Sequence, residues 1–383
     1  MAKIIIKLIL VMIVIQSCSL TEQEAFNILK NKYGNNFYVV HNKTDFVIEA
    51  YIENTDLLDE VPKEILAFQH LKKLKLKGGN IKEIPSFISK LQEIEELNFY
   101  NNPIEKTADN FDQFPSLNYL ELGYCKLKEL PKSIFRSKNI NNLSFEGSDI
   151  HGFDKELFKL KFQLESLLIS SCSEAPSNIS EFVKLENFGG AFKSFRYIDD
   201  IPQLNRLYLD NSSASRFPQD FKTIKHLRTL ALVNCDQITE LPASLGYAEV
   251  GEFDNVHFNF NGCKKLRGLP ESFKHLKNIR ILDLDSCFNF KYIPLGLRIG
   301  SLTAKGANWL KMPKNLLNTP CTRLWIDGHR MGTIRGISGM KGLDFAVIIN
   351  GDILKVPEEL CEMKDLHHIN LENNKIKNYP AFW

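Results

Sequence analysis

Residues 71–76 read Leu71-Lys72-Lys73-Leu74-Lys75-Leu76, and the same apolar spacing returns as Ile94-x-x-Leu97-x-Phe99, Leu117-x-x-Leu120-x-Leu122 and Ile140-x-x-Leu143-x-Phe145. The interval is 23 residues each time. A fixed period of this size marks stacked supersecondary units rather than one globular core. Extended outward, the pattern places first positions at 48, 71, 94, 117, 140, 164, 185, 204, 227, 255, 279, 299, 321, 343 and 366. Thirteen residues beyond a start, an apolar residue often precedes proline, as in Val61-Pro62, Ile84-Pro85, Leu130-Pro131, Phe217-Pro218, Met312-Pro313, Val356-Pro357 and Tyr379-Pro380. Two stretches break the rhythm. Ser171 to Phe195 is poor in Leu, with Glu174 and Gly190 at unusual places, and Tyr247 to Asn259 carries an insertion. Both read as local bends or bulges.

Pleating of a short strand sends positions 4 and 6 to one side and positions 3, 5 and 7 to the other. One coil cannot bury its own leucines, so neighbouring coils must stack to close the core. The pattern LxxLxLxxN, with Asn102 and Asn374 at its ninth place, resembles that of leucine-rich repeat proteins over about residues 46 to 383. The resemblance implies an α/β fold: a leucine-rich repeat solenoid, a curved horseshoe with a parallel β-sheet on the concave face and short helical or irregular segments on the convex face. It also implies that the ninth-place Asn hydrogen-bonds neighbouring backbone.

Elsewhere the ninth place holds Cys125, Cys172, Cys235, Cys263 and Cys287, with Ser148 and Ser212 in two further coils. One recurring slot for so many cysteines argues for buried small side chains over a disulfide framework. No C-x-x-C occurs, which speaks against a zinc or thioredoxin-like site. Cys263 and Cys287 lie in adjacent coils at about strand spacing, around 5 Å, so a disulfide between them stays open.

The chain starts MAKIIIKLILVMIVIQSC, with Lys3 and Lys7 ahead of the apolar run Leu8 to Ile15 and small Ser17 before Cys18. That run is too short to span about 30 Å of hydrocarbon and reads as a signal peptide over residues 1–17. The ending Ile15-Gln16-Ser17-Cys18 resembles the lipobox of bacterial lipoproteins, which implies lipidation at Cys18; an ordinary secretory signal with an incidental Cys is the alternative. Residues 18–45 then form a capping helix and lead-in. Thr21 and Glu24 make a capping box, Ala25, Phe26, Ile28, Leu29 and Tyr33 follow at helical spacing, and Gly34 supplies a stop. The repeat domain of about 15 coils occupies residues 46–383.

The chain carries 44% hydrophobic and 25% charged residues, a mixture unlike that of disordered tails or polytopic membrane proteins. Lys plus Arg number 48 against 46 Asp plus Glu, so no global basic footprint points to nucleic acid. Motifs for metalloproteases, serine hydrolases and nucleotide or dinucleotide loops are absent from the sequence. His367 and His368 are adjacent on a strand and face opposite ways, which suits them poorly to share a metal. No catalytic residue, metal site or cofactor is expected.

Function is therefore sought on the concave sheet. The outward places carry Tyr100, Tyr119, Glu121 and Tyr124 early, Arg206, Tyr208 and Asp210 centrally, Asp283 and Asp285 later, then Arg323, Trp325, Asp327, Arg330 and Phe345. Aromatic and Arg side chains left outside are types enriched at interface hot spots. Lys73, Lys75 and Lys77 line one strand as a solvated face beside Glu96 and Glu121, membrane headgroups being the alternative contact. The expectation is a non-catalytic lipoprotein, exported across the inner membrane to the bacterial envelope, at the outer membrane or cell surface, which binds a protein or peptide on this face. A self-associating structural envelope protein, or an enzyme acting on a glycan or peptide in the groove, are the alternatives.

Overall fold

The computed structural model describes residues 20–217, 227–247, 256–276 and 278–377. The signal peptide, Cys18, the Tyr379-Pro380 step and residues 248–255 of the insertion lie outside the described residues. The chain forms two compact units that divide between His151 and Gly152.

The first unit opens with helix α1 (Glu22–Tyr33). The capping box is present as read: the Thr21 hydroxyl accepts from the Glu24 amide, and the Glu24 carboxylate accepts from the Thr21 amide at 2.8 Å. Ala25, Leu29 and Tyr33 form its buried face. The strands that follow are β1 (Phe37–His41), β2 (Val47–Glu53), β3 (Lys73–Lys77), β4 (Glu83–Ile84), β5 (Glu96–Asn98), β6 (Lys106–Thr107), β7 (Tyr119–Glu121) and β8 (Asn142–Ser144). β1 pairs antiparallel with β2, a strand the lead-in gave no sign of, and the main sheet then continues in parallel through β3, β5, β7 and β8. β4 and β6 make a separate two-strand ladder.

The first start needs correction. Glu49 pairs with Lys73 and Ala50 with Leu74, so the first coil begins at Val47, not at residue 48. The inward set is Val47, Ala50 and Ile52, all buried, while Tyr51 and Glu53 are outward. A one-residue slip exchanges the two faces of a strand.

The second unit contains β9 (Ser166–Cys172), β10 (Asn187–Phe192), β11 (Arg206–Tyr208), β12 (Thr229–Ala231), β13 (His257–Asn259), β14 (Asn278–Asp283), β15 (Arg298–Lys305), β16 (Cys321–Asp327), β17 (Phe345–Ile349) and β18 (His368–Asn370). All neighbours pair in parallel, and the inward row Leu207, Leu230, Phe258, Leu282, Leu302, Leu324 and Ala346 runs unbroken. The return segments of both units are short 3₁₀ turns rather than α-helices. Pro62, Pro85, Pro131 and Pro357 each stand directly before one, with φ between −57° and −78°, the value the pyrrolidine ring imposes.

Two features hold coil to coil. The eighth place has positive φ in thirteen coils, among them Gly78, Asn101, Tyr124, Gly147, Asn234, Gly306 and Asn350. Left-handed backbone there reverses the chain after the strand, which favours Gly and Asn. The two exceptions are the irregular coils starting at 164 and 185, where strands β9 and β10 run on through this place and the register shifts between Gly189 and Ala191. The ninth place then reaches back one coil. Asn102 Nδ2 donates to the carbonyls of Leu76 and Phe99 at 2.7 and 2.9 Å, and Asn374 Nδ2 to that of Ile348 at 2.7 Å. Cys263 and Cys287 do the same with their thiols, to Leu232 and Phe260 at 2.9 and 3.0 Å. Both are free cysteines, which closes the question of a disulfide between them.

Candidate functional site

In the first unit the outward face is internally satisfied. Lys73 Nζ lies 2.9 Å from Glu49, Lys75 Nζ 2.9 Å from Glu96, and Lys77 Nζ 3.8 Å from Glu53. Each lysine read as a solvated face is thus tied to a carboxylate on a flanking strand. Tyr38 stacks on Tyr51 with centroids 4.5 Å apart, and Lys75 sits over the same Tyr51 ring at 5.6 Å.

Glu121 departs most from expectation. It lies on the outward row of β7 yet is only 7% exposed. One carboxylate oxygen accepts from the Gly123 amide at 2.7 Å and the other from the Tyr119 hydroxyl at 3.3 Å. Burial pushes its carboxyl above the usual range, against the hydrogen bonds that favour the anion. Tyr119 is half-buried, and its phenol is pushed up by the same burial and by Glu121. Glu121 is therefore a brace within the unit, not a presented contact. Tyr100 is half-buried and meets Tyr124 edge-on at 5.2 Å, with Lys77 5.8 Å from its ring centre. Tyr124 is exposed but sits past the strand, in the left-handed turn.

The second unit presents a different surface. Arg206 is exposed on β11, whereas Tyr208 and Asp210 are half-buried and burial raises the Asp210 carboxyl above its usual range. Strands β14 to β18 carry the broader patch. Pairing sets Asp283, Thr303, Trp325 and Val347 in one row, Ser301, Arg323, Phe345 and His368 in the row on one side, and Lys305, Asp327 and Ile349 on the other. Neighbouring strands lie about 4.8 Å apart, so the three rows form one continuous surface.

Trp325 is 37% exposed, and Lys305 Nζ stands 4.7 Å from its ring centre. Asp283 accepts from Thr303 Oγ1 at 2.9 Å and faces His257 Nε2 at 3.0 Å. Asp285 accepts from the Lys305 amide at 2.7 Å, and Asp327 from Asn350 Nδ2 at 2.7 Å. Phe345 stacks on His368 with centroids 4.5 Å apart and planes 12° from parallel. No ion-pair partner for Arg323 occurs among the described residues. Asp283 and Asp285 each hold separate partners among the described residues. His367 is bonded to Asp344 while His368 lies on Phe345, so the adjacent histidines do diverge.

Arg330 belongs elsewhere. It follows Gly328 at φ 70°, past the end of β16, and borders a cleft made by the return segments. The pleat argument that placed it outward ends with the strand at Asp327. Conversely, His257, Thr303 and Lys305 join the patch without having been singled out, and His368, noted in the sequence only as half of a histidine pair, joins them. All four occupy outward places, and Lys305 and His368 could have been found from the repeat spacing alone.

With that geometry in place, the chain compares with known proteins as follows. No protein-family model matches it. Podocan of Mus musculus is 25% identical over 352 residues, covering 87% of this chain and 52% of Podocan. The chain spans about half or less of the length of the curated relatives it matches. Among solved structures, a leucine-rich repeat protein of Leptospira interrogans superposes with TM-score 0.59 at 23% identity, covering 84% of this chain and 83% of that one. A chain in the Toll–Spatzle complex of Drosophila gives TM-score 0.57 at 18% identity, covering 83% of this chain and 46% of that one. The fold is that of the leucine-rich repeat solenoid.

Proposed function

We propose that this leucine-rich repeat protein is a non-catalytic binding protein whose second unit takes a protein or peptide ligand on the outward face of β14 to β18. The observation that carries the reading is Trp325: a large aromatic side chain held half out of the surface by the sheet, between a cation on its ring and Arg323, which has no ion pair among the described residues, two residues along the same strand. Aromatic and Arg anchors of this kind supply most of the energy of protein interfaces. Phe345 and His368 extend the patch with a second flat aromatic surface, and Asp283, Asp285 and Asp327 give it a polar rim. In the Toll–Spatzle complex a chain of this fold stands with a partner protein, which supports ligand binding as a use of the fold.

The same proposal places the protein in a bacterial envelope, exported across the inner membrane and held at the outer membrane or cell surface by lipid on Cys18. The N-terminal sequence Ile15-Gln16-Ser17-Cys18 supports it. Without residues 1–17 the charge balance is 46 against 46, which leaves acyl chains as the source of membrane attachment.

Affinity capture from native envelopes with the wild-type chain and with Trp325→Ala tests the binding reading. A stoichiometric partner captured by the wild type and lost by about 30-fold or more in the variant supports it. Equal capture by both chains overturns the assigned surface.

A further inference from the structure

The cleft bordered by Arg330 lies apart from the sheet face, in the return segments of the coils that carry β14, β15 and β16. Its volume is about 610 Å³, within the range of small-molecule sites. The floor is built and held: Trp309 is buried, its Nε1 donates to the Cys287 carbonyl at 3.0 Å, and its ring packs on Phe290 with centroids 6.4 Å apart. Over this floor stand two exposed apolar side chains, Phe288 at 46% and Leu310 at 69%. Leu310 is the most exposed large apolar side chain among the described residues.

Charge at the mouth has one sign. Lys291, Lys311, Lys314 and Arg330 line the cleft, and no carboxylate does. Backbone bonds fix their grouping: the Lys314 amide donates to the Lys291 carbonyl at 2.7 Å, and the Arg330 amide to that of Trp309 at 2.9 Å. Arg330 also feels Asp352, but that carboxylate is bonded to Lys375 Nζ at 2.7 Å. Lys73, Lys75 and Lys77 in the first unit show how this chain treats clustered cations on its sheet, with a glutamate for each. Among the described residues the four cations of the cleft have no ion pair. Grouping like charges around exposed apolar side chains raises the energy of the empty site, and an anion with an apolar tail relieves both terms.

We propose that this cleft binds a single-chain anionic amphiphile, its phosphate or carboxylate head held by Lys291, Lys311, Lys314 and Arg330 and its alkyl chain laid on Phe288, Trp309 and Leu310. The confined volume selects one small molecule rather than a macromolecular surface, and the absence of acid in the lining selects an anion over a zwitterion.

Dodecyl phosphate below its critical micelle concentration is the probe, titrated into the folded chain by calorimetry beside inorganic phosphate and the uncharged dodecyl maltoside. One dodecyl phosphate per chain is expected, at least 100-fold tighter than inorganic phosphate and 10-fold tighter than the maltoside. The double variant Lys311→Glu/Lys314→Glu should weaken it by 10-fold or more, and Leu310→Asp by 5-fold or more, with unfolding midpoints unchanged because all three side chains are exposed. Lys311→Gln, too mild to disturb folding, should give an intermediate loss. Equal affinity for the maltoside, affinity indifferent to these substitutions, or association with anionic vesicles but not with monomeric dodecyl phosphate would each overturn the proposal.

Discussion

Asn102 Nδ2 donates to the carbonyl of Leu76, twenty-six residues earlier, at 2.7 Å, and its Oδ1 accepts from the Ile81 amide at 3.3 Å. One amide side chain thus satisfies backbone groups in the preceding coil as well as its own, and the same reach to the preceding coil recurs at Ser212, Cys235, Cys263, Cys287 and Asn374.

Asn102→Leu should remove these bonds and cost roughly 1–3 kcal/mol per buried group left unpaired. Its neighbour provides the comparison, but with a complication. Asn101 sits at φ 57°, so Asn101→Leu forces a bulky residue into left-handed backbone at about 1–2 kcal/mol. Asn101→Gly avoids that strain and should leave the urea midpoint nearly unchanged. Equal losses in Asn102→Leu and Asn101→Gly would show the ninth-place assignment to be wrong.

Trp325 and Leu324 are consecutive on β16 and point to opposite faces. Leu324 is fully buried, so Leu324→Ala should cost about 2–5 kcal/mol. Trp325→Ala should lose little beyond its cation–π contact with Lys305, about 0.5–1 kcal/mol at an exposed site. Thermal unfolding of the pair checks this, and a larger loss at Trp325 than at Leu324 would contradict the register.

His329 fills the ninth place of its coil and is 3% exposed. Nδ1 accepts from the Met331 amide at 3.2 Å, so the neutral ring carries its proton on Nε2, a buried atom without a partner among the described residues. Burial holds its pKa below the ordinary 6.5, although Asp352 and Asp327 pull the other way. The unfolded chain then takes up this proton more readily than the folded one. Stability from this group is complete above about pH 6.5 and falls as pH drops from there toward the folded value. His329→Asn, which restores the amide used elsewhere, should flatten that part of the stability–pH curve. An unchanged slope between pH 7 and pH 5 would remove His329 as its source.

Cys18→Ala should leave the exported chain unprocessed or released, while the wild type partitions into detergent. Wild-type protein recovered fully soluble, with its N-terminus at another residue, would end the lipid-anchor proposal.

The coil spacing could be read from sequence because three apolar places in each strand repeat in phase. It failed at the first coil, where Ala50 is too small to mark an inward place and the neighbouring pair Val47 and Ile48 offers two frames. β1 was hidden because its partner supplies most of its stability: only Phe37 of that strand is buried. Outward residues were named correctly as outward on the strands themselves. Whether each is presented or consumed depends on neighbours one coil away, which is why Glu121 is buried while Trp325 stands partly exposed. Arg330 failed for a third reason, since alternation says nothing once the strand has ended. The cleft it borders draws on three successive coils, and no single repeat records it.

The thiol ladder makes the protein a reporter of its own unfolding. Burial pushes the Cys125 and Cys287 thiols up to about 12, which disfavours the reactive thiolate, and the sulfurs are shielded from solvent as well. Cys361 is the exposed thiol among the described residues. An alkylating reagent should therefore mark Cys361 at once and the column only as coils open. The order in which the remaining cysteines are labelled under rising denaturant gives a coil-by-coil account of local opening, with no probe added to the chain.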